Sequence, residues 1–140
     1  MNGPRLSTRD LAFMQRYPVV FGCGPRQVGQ TSLARGLAIG DGWLPLLDQL
    51  CTGLSQVIAE DGLTEFRTLQ VKEKFGGLRF CVTGGNDRAR VLIEAAERES
   101  LRTCEGCGGP SLRHDLAGWI TTLCNSCLDR KRAILERDDP

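Results

Sequence analysis

Two Cys-x-x-Cys pairs, Cys104-Glu-Gly-Cys107 and Cys124-Asn-Ser-Cys127, stand sixteen residues apart and constrain this chain more than any other feature. Each turn brings two sulfurs to one side of the backbone, and four thiolates are the donor set of a closed tetrahedral zinc site. Gly108-Gly109-Pro110 follows the first pair and lets the chain reverse without a Cβ clash. Trp119-Ile-Thr-Thr-Leu123 is a β-prone run that delivers the second pair. The spacing predicts a zinc ribbon in which Zn2+ is structural, because four protein ligands leave no position for water or substrate. The competing use of Cys124-Asn-Ser-Cys127 is a redox pair at a strand-to-helix junction, where a helix N-terminus lowers a thiol pKa. The first pair has no role in that scheme. His114 lies between two complete pairs and is expected to be an ordinary ribbon residue.

Seven cysteines are an odd count, which argues against a closed disulfide framework. Residues 1–10 carry no apolar run of signal-peptide length, and no stretch approaches the roughly 20 apolar residues of a membrane span. The expectation is a soluble, cytoplasmic protein whose thiols stay reduced. Gly is frequent, at 17 of 140 residues, and aromatics are few, at 6%. Such a turn-rich chain has a modest core, and a bound metal compensates for that. The formal charge is +1. Four thiolates and one dication would bring it to −1, so the chain exerts no long-range pull on a phosphate backbone.

Three stretches are expected: an N-terminal helix and Gly/Pro-rich arm over 1–40, a helix–hairpin–helix core over 41–102, and the four-cysteine zinc ribbon with a C-terminal helix over 103–140. The fold class is α+β. Ser7-Thr-Arg-Asp10 resembles a capping box and starts a short helix, which Tyr17-Pro18 ends. Trp43, Leu47, Leu50, Leu54 and Val57 recur at helical spacing after Asp41, and Asp61-Gly62 closes that helix. A last core helix begins at Asn86-Asp87, with Val91 and Ala95 facing inward and Leu92 and Leu101 as further candidates for that face. Of the other cysteines, Cys51 is expected in the core, Cys81 on the second hairpin strand and Cys23 in a glycine loop.

Gly76-Gly77, between apolar alternating runs, predicts a two-residue hairpin turn. In that register Phe75 faces Leu78, Glu73 faces Phe80, Val71 faces Val82, and Lys74 stands opposite Arg79. Leu69, Val71, Phe75, Leu78, Phe80 and Val82 then share one face with Glu73 among them. Lys72, Lys74 and Arg79 form a basic strip on the other. That strip, with Glu73, is a candidate binding surface for an acidic partner or a phosphate; the alternative is a solvated face with Glu73 paired to an arginine.

The segment 24–31, Gly24-Pro-Arg-Gln-Val-Gly-Gln-Thr31, copies the spacing of an ATPase phosphate loop, with Tyr17–Phe21 in the place of the strand before it; the alternative is a surface turn followed by a short helix, Ser32–Leu37. Gln30 replaces the lysine that holds the β- and γ-phosphates, and no later strand ends in an acidic metal ligand. Nucleotide binding is not expected.

Gly40-Asp-Gly-Trp43, the block Val71-Lys-Glu-Lys-Phe-Gly-Gly-Leu-Arg-Phe80, Cys104-Glu-Gly-Cys-Gly-Gly-Pro110 and Trp119-Ile-Thr-Thr-Leu-Cys124 together resemble a family of small uncharacterised bacterial and phage proteins. Cys81 departs from that pattern, standing where an aromatic is expected. The resemblance implies a phage or mobile-element setting and brings no activity with it.

One histidine, no nucleophile–base constellation and no open metal position argue against an enzyme. Residues 102–140 hold six basic and six acidic side chains, so the ribbon lacks the footprint of a polyanion binder. The expected function is a small non-enzymatic protein-binding module, an adaptor or inhibitor acting on another protein such as a host defence complex. A nucleic-acid-binding ribbon is the alternative.

Overall fold

The computed structural model describes residues 6–22 and 36–138. The chain is α+β. Helix α1 spans Thr8–Gln15, and Ser7 caps it by accepting the Asp10 N–H at 3.1 Å. Asp10 does not return the bond as a capping box would. Its buried carboxylate instead accepts the N–H of Leu37 at 2.9 Å and pairs with Arg9 at 2.8 Å. Tyr17–Phe21, expected as a strand, forms the single helical turn α2, Pro18–Phe21. The fixed φ of Pro18 suits the first position of a turn that buries Val20 and Phe21. Cys23 and the phosphate-loop-like segment 24–31 lie outside the described residues, as does most of the expected helix Ser32–Leu37.

Leu37 instead opens β1, Leu37–Ala38, which pairs in parallel with the first hairpin strand. Arg9 clasps this short strand, donating to Leu37 O at 2.8 Å and Ile39 O at 3.0 Å while pairing with Asp41. A 3-10 turn, Asp41–Trp43, leads into α3, Leu44–Asp61, with Pro45 in its first turn. The expected stripe is inward: Trp43, Leu47 and Leu54 are fully buried, and Leu50, Cys51, Val57 and Ile58 lie beside them. Gly62, at φ +63°, ends the helix and donates to Ile58 O.

Strands β2, Arg67–Lys74, and β3, Gly77–Thr83, form the hairpin, and the three-stranded sheet runs β1-β2-β3. The turn lies one residue earlier than expected, at Phe75-Gly76, where φ is +53° and +81°. Lys74 therefore pairs with Gly77, Glu73 with Leu78, Lys72 with Arg79 and Val71 with Phe80. Two contacts select this register. The Glu73 carboxylate accepts the Gly76 N–H at 2.7 Å, and Thr122 Oγ1 donates to Gly76 O at 2.6 Å. Gly77 is left for close packing, since a Cβ there would lie 3.1 Å from Leu101. Phe75 is consequently 60% exposed instead of inward. A bulge between Thr68 and Gln70 also turns Thr68 inward in place of Leu69, and its hydroxyl donates to Val20 O at 2.7 Å.

Helix α4, Asp87–Ser100, begins at Asn86, whose side chain accepts the Ala89 N–H. Its inner face is Ala89, Ile93, Ala96 and Ser100, and Val91 and Ala95, expected inward, are exposed, while Leu92 and Leu101 are half-buried. The phase is set by small residues: Ala89 and Ala96 let the helix approach the core closely, and Leu92 packs over Gly53 of α3. One continuous core joins Phe13, Tyr17, Val20 and Phe21 to the α3 stripe and to Val71, Leu78 and Phe80, so the N-terminal helices and the hairpin share a single interior.

Candidate metal centre

The C-terminal module consists of a bridge between Thr103 and Pro110, a hairpin of β4, Arg113–Leu116, and β5, Trp119–Thr122, and the helix α5, Asn125–Asp138. The first Cys-x-x-Cys turn is closed by Cys104 N donating to Gly109 O at 2.8 Å and Gly108 N donating to Cys104 O at 2.9 Å, with Gly108 at φ +83°. Beyond it the chain reverses at Ala117-Gly118, both at positive φ, and the Asp115 carboxylate accepts the Gly118 N–H. Strand β5 then delivers Cys124, and Cys127 sits in the first turn of α5, where Leu128 N donates to Cys124 O.

All four predicted sulfurs converge, each within 4.8 Å of the others, and no disulfide links them. Cys107 Sγ and Cys124 Sγ are 3.7 Å apart. A tetrahedron of thiolates at the usual zinc–sulfur length of about 2.3 Å has edges of about 3.8 Å. The donor set thus fits a tetrahedral ion, and the four cysteines can hold one. Backbone donors surround the innermost sulfur: the N–H groups of Cys107 and Cys124 point at Cys104 Sγ at 3.4 and 3.3 Å. Burial opposes ionisation of Cys104, but the N–H groups of Cys124, Cys107 and Gly106 outweigh it and lower its thiol to about 6. At Cys127, burial and the neighbouring sulfurs push the thiol up to about 12. One thiolate is welcome here and a second is not, unless a cation supplies the opposing charge. Gly106 leaves room for this packing, since a Cβ there would fall 2.9 Å from Cys127 Sγ. His114 lies in β4 opposite Thr121 and does not join the cluster.

The module has little else to hold it together. Its buried apolar cluster is Cys104, Leu123 and Leu128, with Leu116 against it. Compared with known protein families, with curated proteins and with solved structures, the chain matches none.

The centre is fastened to the core by contacts that run largely through backbone groups. Glu105, inside the first Cys-x-x-Cys turn, accepts the Gly42 N–H at its carbonyl, at 2.8 Å, and the Gly40 N–H at its carboxylate, at 2.9 Å. Its own N–H donates to Thr122 O at 2.9 Å. Trp43, fully buried, donates its indole N–H to Thr103 O at 2.8 Å. Burial raises the Glu105 pKa, the Gly40 N–H opposes that rise, and the Glu73 carboxylate adds to it. Gly40-Asp-Gly-Trp43, the hairpin tip and the cysteine turn therefore meet at one junction.

The four candidate hairpin residues divide. Glu73 caps the turn and faces the junction instead of pairing with an arginine. Lys72 and Arg79 are cross-strand neighbours on the outer face, and Lys74 lies at the tip, its ammonium 5.6 Å from the Phe75 ring. Glu97 and Ser100 of α4 were not singled out in the sequence. Glu97 accepts the Phe80 N–H at 3.0 Å and Ser100 the Leu78 N–H at 2.9 Å, which occupies the free edge of β3. Only a helix laid along that edge gives them this role, and their spacing is that of any helical surface.

Proposed function

We propose that this protein is a non-enzymatic, zinc-stabilised protein-binding module, an adaptor or inhibitor that works in a reducing compartment. Zn2+ held by Cys104, Cys107, Cys124 and Cys127 fixes the ribbon against the core. The observation that carries the reading is the closed four-sulfur set, with backbone donors on its innermost sulfur and, among the described residues, no fifth protein group presented to it. Such an ion organises a surface and leaves substrate no coordination position. The balanced charge of residues 102–140 favours a protein partner over a polyanion. No helix among the described residues is long and apolar enough to cross a membrane. The test is cross-linking capture of a stoichiometric protein partner after nuclease treatment, beside a salt titration on random-sequence DNA. Steeply salt-dependent DNA binding without a protein partner would refute the reading.

Nucleic-acid binding is the second reading. What favours it is two exposed rings, each with a lysine over it: Trp119 with Lys131 at 5.1 Å and Phe75 with Lys74 at 5.6 Å. Strand alternation puts Trp119 on the ribbon face of Leu116, whereas the hairpin tip abuts the opposite face at Arg113 and Thr122. The rings do not form one track, which is why this reading stands second.

A further inference from the structure

We infer that the groove between the β2–β3 tip, the C-terminal half of α4 and the start of β4 is the docking site for a short acidic peptide segment of a partner protein. The inference rests on the protein-binding reading and names the chemistry of the partner. The hollow holds about 360 Å3, within the roughly 300–1,000 Å3 typical of ligand sites. Its rim carries Lys74, Arg79, Arg98 and Arg113, from four separate elements. None of the four has a carboxylate within ion-pair distance among the described residues, whereas Arg16, Arg88, Arg90 and Arg102 each do. Two carboxylates line the same hollow but are otherwise engaged. Glu97 accepts the Phe80 N–H, and Glu94 is 4.0 Å from Arg90.

The floor is apolar, made by buried Leu78 and half-buried Leu101, and exposed Phe75 stands at the lip. Unpaired cations around an apolar floor match a peptide that carries carboxylates on both sides of an apolar side chain. Glu94 and Glu97 decide against a nucleic-acid strand. A phosphate at every nucleotide would be forced onto them, while a peptide can offer them backbone N–H groups.

The test is fluorescence anisotropy of the intact zinc-bound chain at low ionic strength, with a labelled Glu-Glu-Leu-Glu-Glu peptide and a labelled oligothymidylate as probes. The peptide should bind saturably and more tightly than the oligonucleotide. The double reversal Arg79→Glu/Arg98→Glu should weaken it by about tenfold or more, and Lys131→Glu, on α5, by less than about twofold. Both changes are at exposed side chains, and an unchanged denaturant midpoint verifies the fold. No saturable peptide binding, an equal loss with Lys131→Glu, or tighter oligonucleotide binding would overturn the inference. A captured partner that is retained by the double reversal overturns the groove alone; failure to capture any partner overturns the protein-binding reading itself.

Discussion

Gly42→Ala removes no functional group, yet it should be among the most damaging substitutions in the chain. Its Cβ would run into Cys104 O and lie 2.5 Å from Gly108 N and 2.7 Å from the Glu105 carbonyl carbon, all backbone atoms of the cysteine turn. Backbone in a turn tied to four sulfurs does not yield as a side chain does, so the joint must open. Opening it breaks the bonds Gly42 N to Glu105 O and Trp43 Nε1 to Thr103 O, each about 1 kcal/mol, and Gly40 N to the Glu105 carboxylate, about 1.5–3 kcal/mol. The expected loss is about 3–5 kcal/mol, a large share of the roughly 5–15 kcal/mol that holds a domain of this size. Trp43 reports it directly, because its fully buried indole would meet water. Denaturant titration followed by tryptophan emission is the assay, with Gly53→Ala as the comparison. That Cβ would stand 3.2 Å from the movable end of Leu92, and alanine gains about 0.5–1 kcal/mol of helix preference, so its net change should stay within about 1 kcal/mol. A Gly42→Ala protein with the parent's midpoint and emission would refute the close-approach reasoning.

Three further outcomes are expected. Thr122→Val strands Gly76 O in a buried site and should cost about 1–3 kcal/mol by denaturant titration. Asp10→Ala frees the Leu37 N–H and unpairs Arg9 from that side, so it should cost about 2–3 kcal/mol and raise amide exchange at Leu37 ahead of the α3 core. Among the described thiols outside the four-cysteine cluster, Cys81 is exposed, while burial first and the Asp48 carboxylate second push the Cys51 thiol well up. Peptide mapping after iodoacetamide treatment at mildly alkaline pH should therefore find Cys81 alkylated and Cys51 intact until the core unfolds.

The cysteine cluster was legible in the sequence because metal ligation needs a donor type at a fixed local spacing, and both are written in the chain. The α3 stripe was legible for a related reason: periodicity reports burial when the buried residues are large. In α4 the close face belongs to Ala89, Ala96 and Ser100, and a reading weighted toward Val91 chose the wrong side. The hairpin was placed correctly but its turn was not. Phe75 takes a positive φ that local preference disfavours, and the contacts that enforce it, from Glu73 and Thr122, include one across 46 residues. β1 was missed because two residues carry no period, and its pairing depends on Arg9 and Asp10 nearly thirty positions away. Glu73 looked misplaced among apolar residues only while its partner, a backbone N–H of the turn, was unknown.

Metal content of the chain purified under reducing conditions, measured together with its thiol state, bears most directly on the reading that four sulfurs close around one ion and hold the ribbon to the core. The expected result is one zinc ion per chain. Cys107→Ser/Cys124→Ser should lose it, with Trp43 emission shifting as the joint loosens. A metal-free chain that keeps the parent's Trp43 emission, or a disulfide between Cys107 and Cys124 in its place, would contradict that reading.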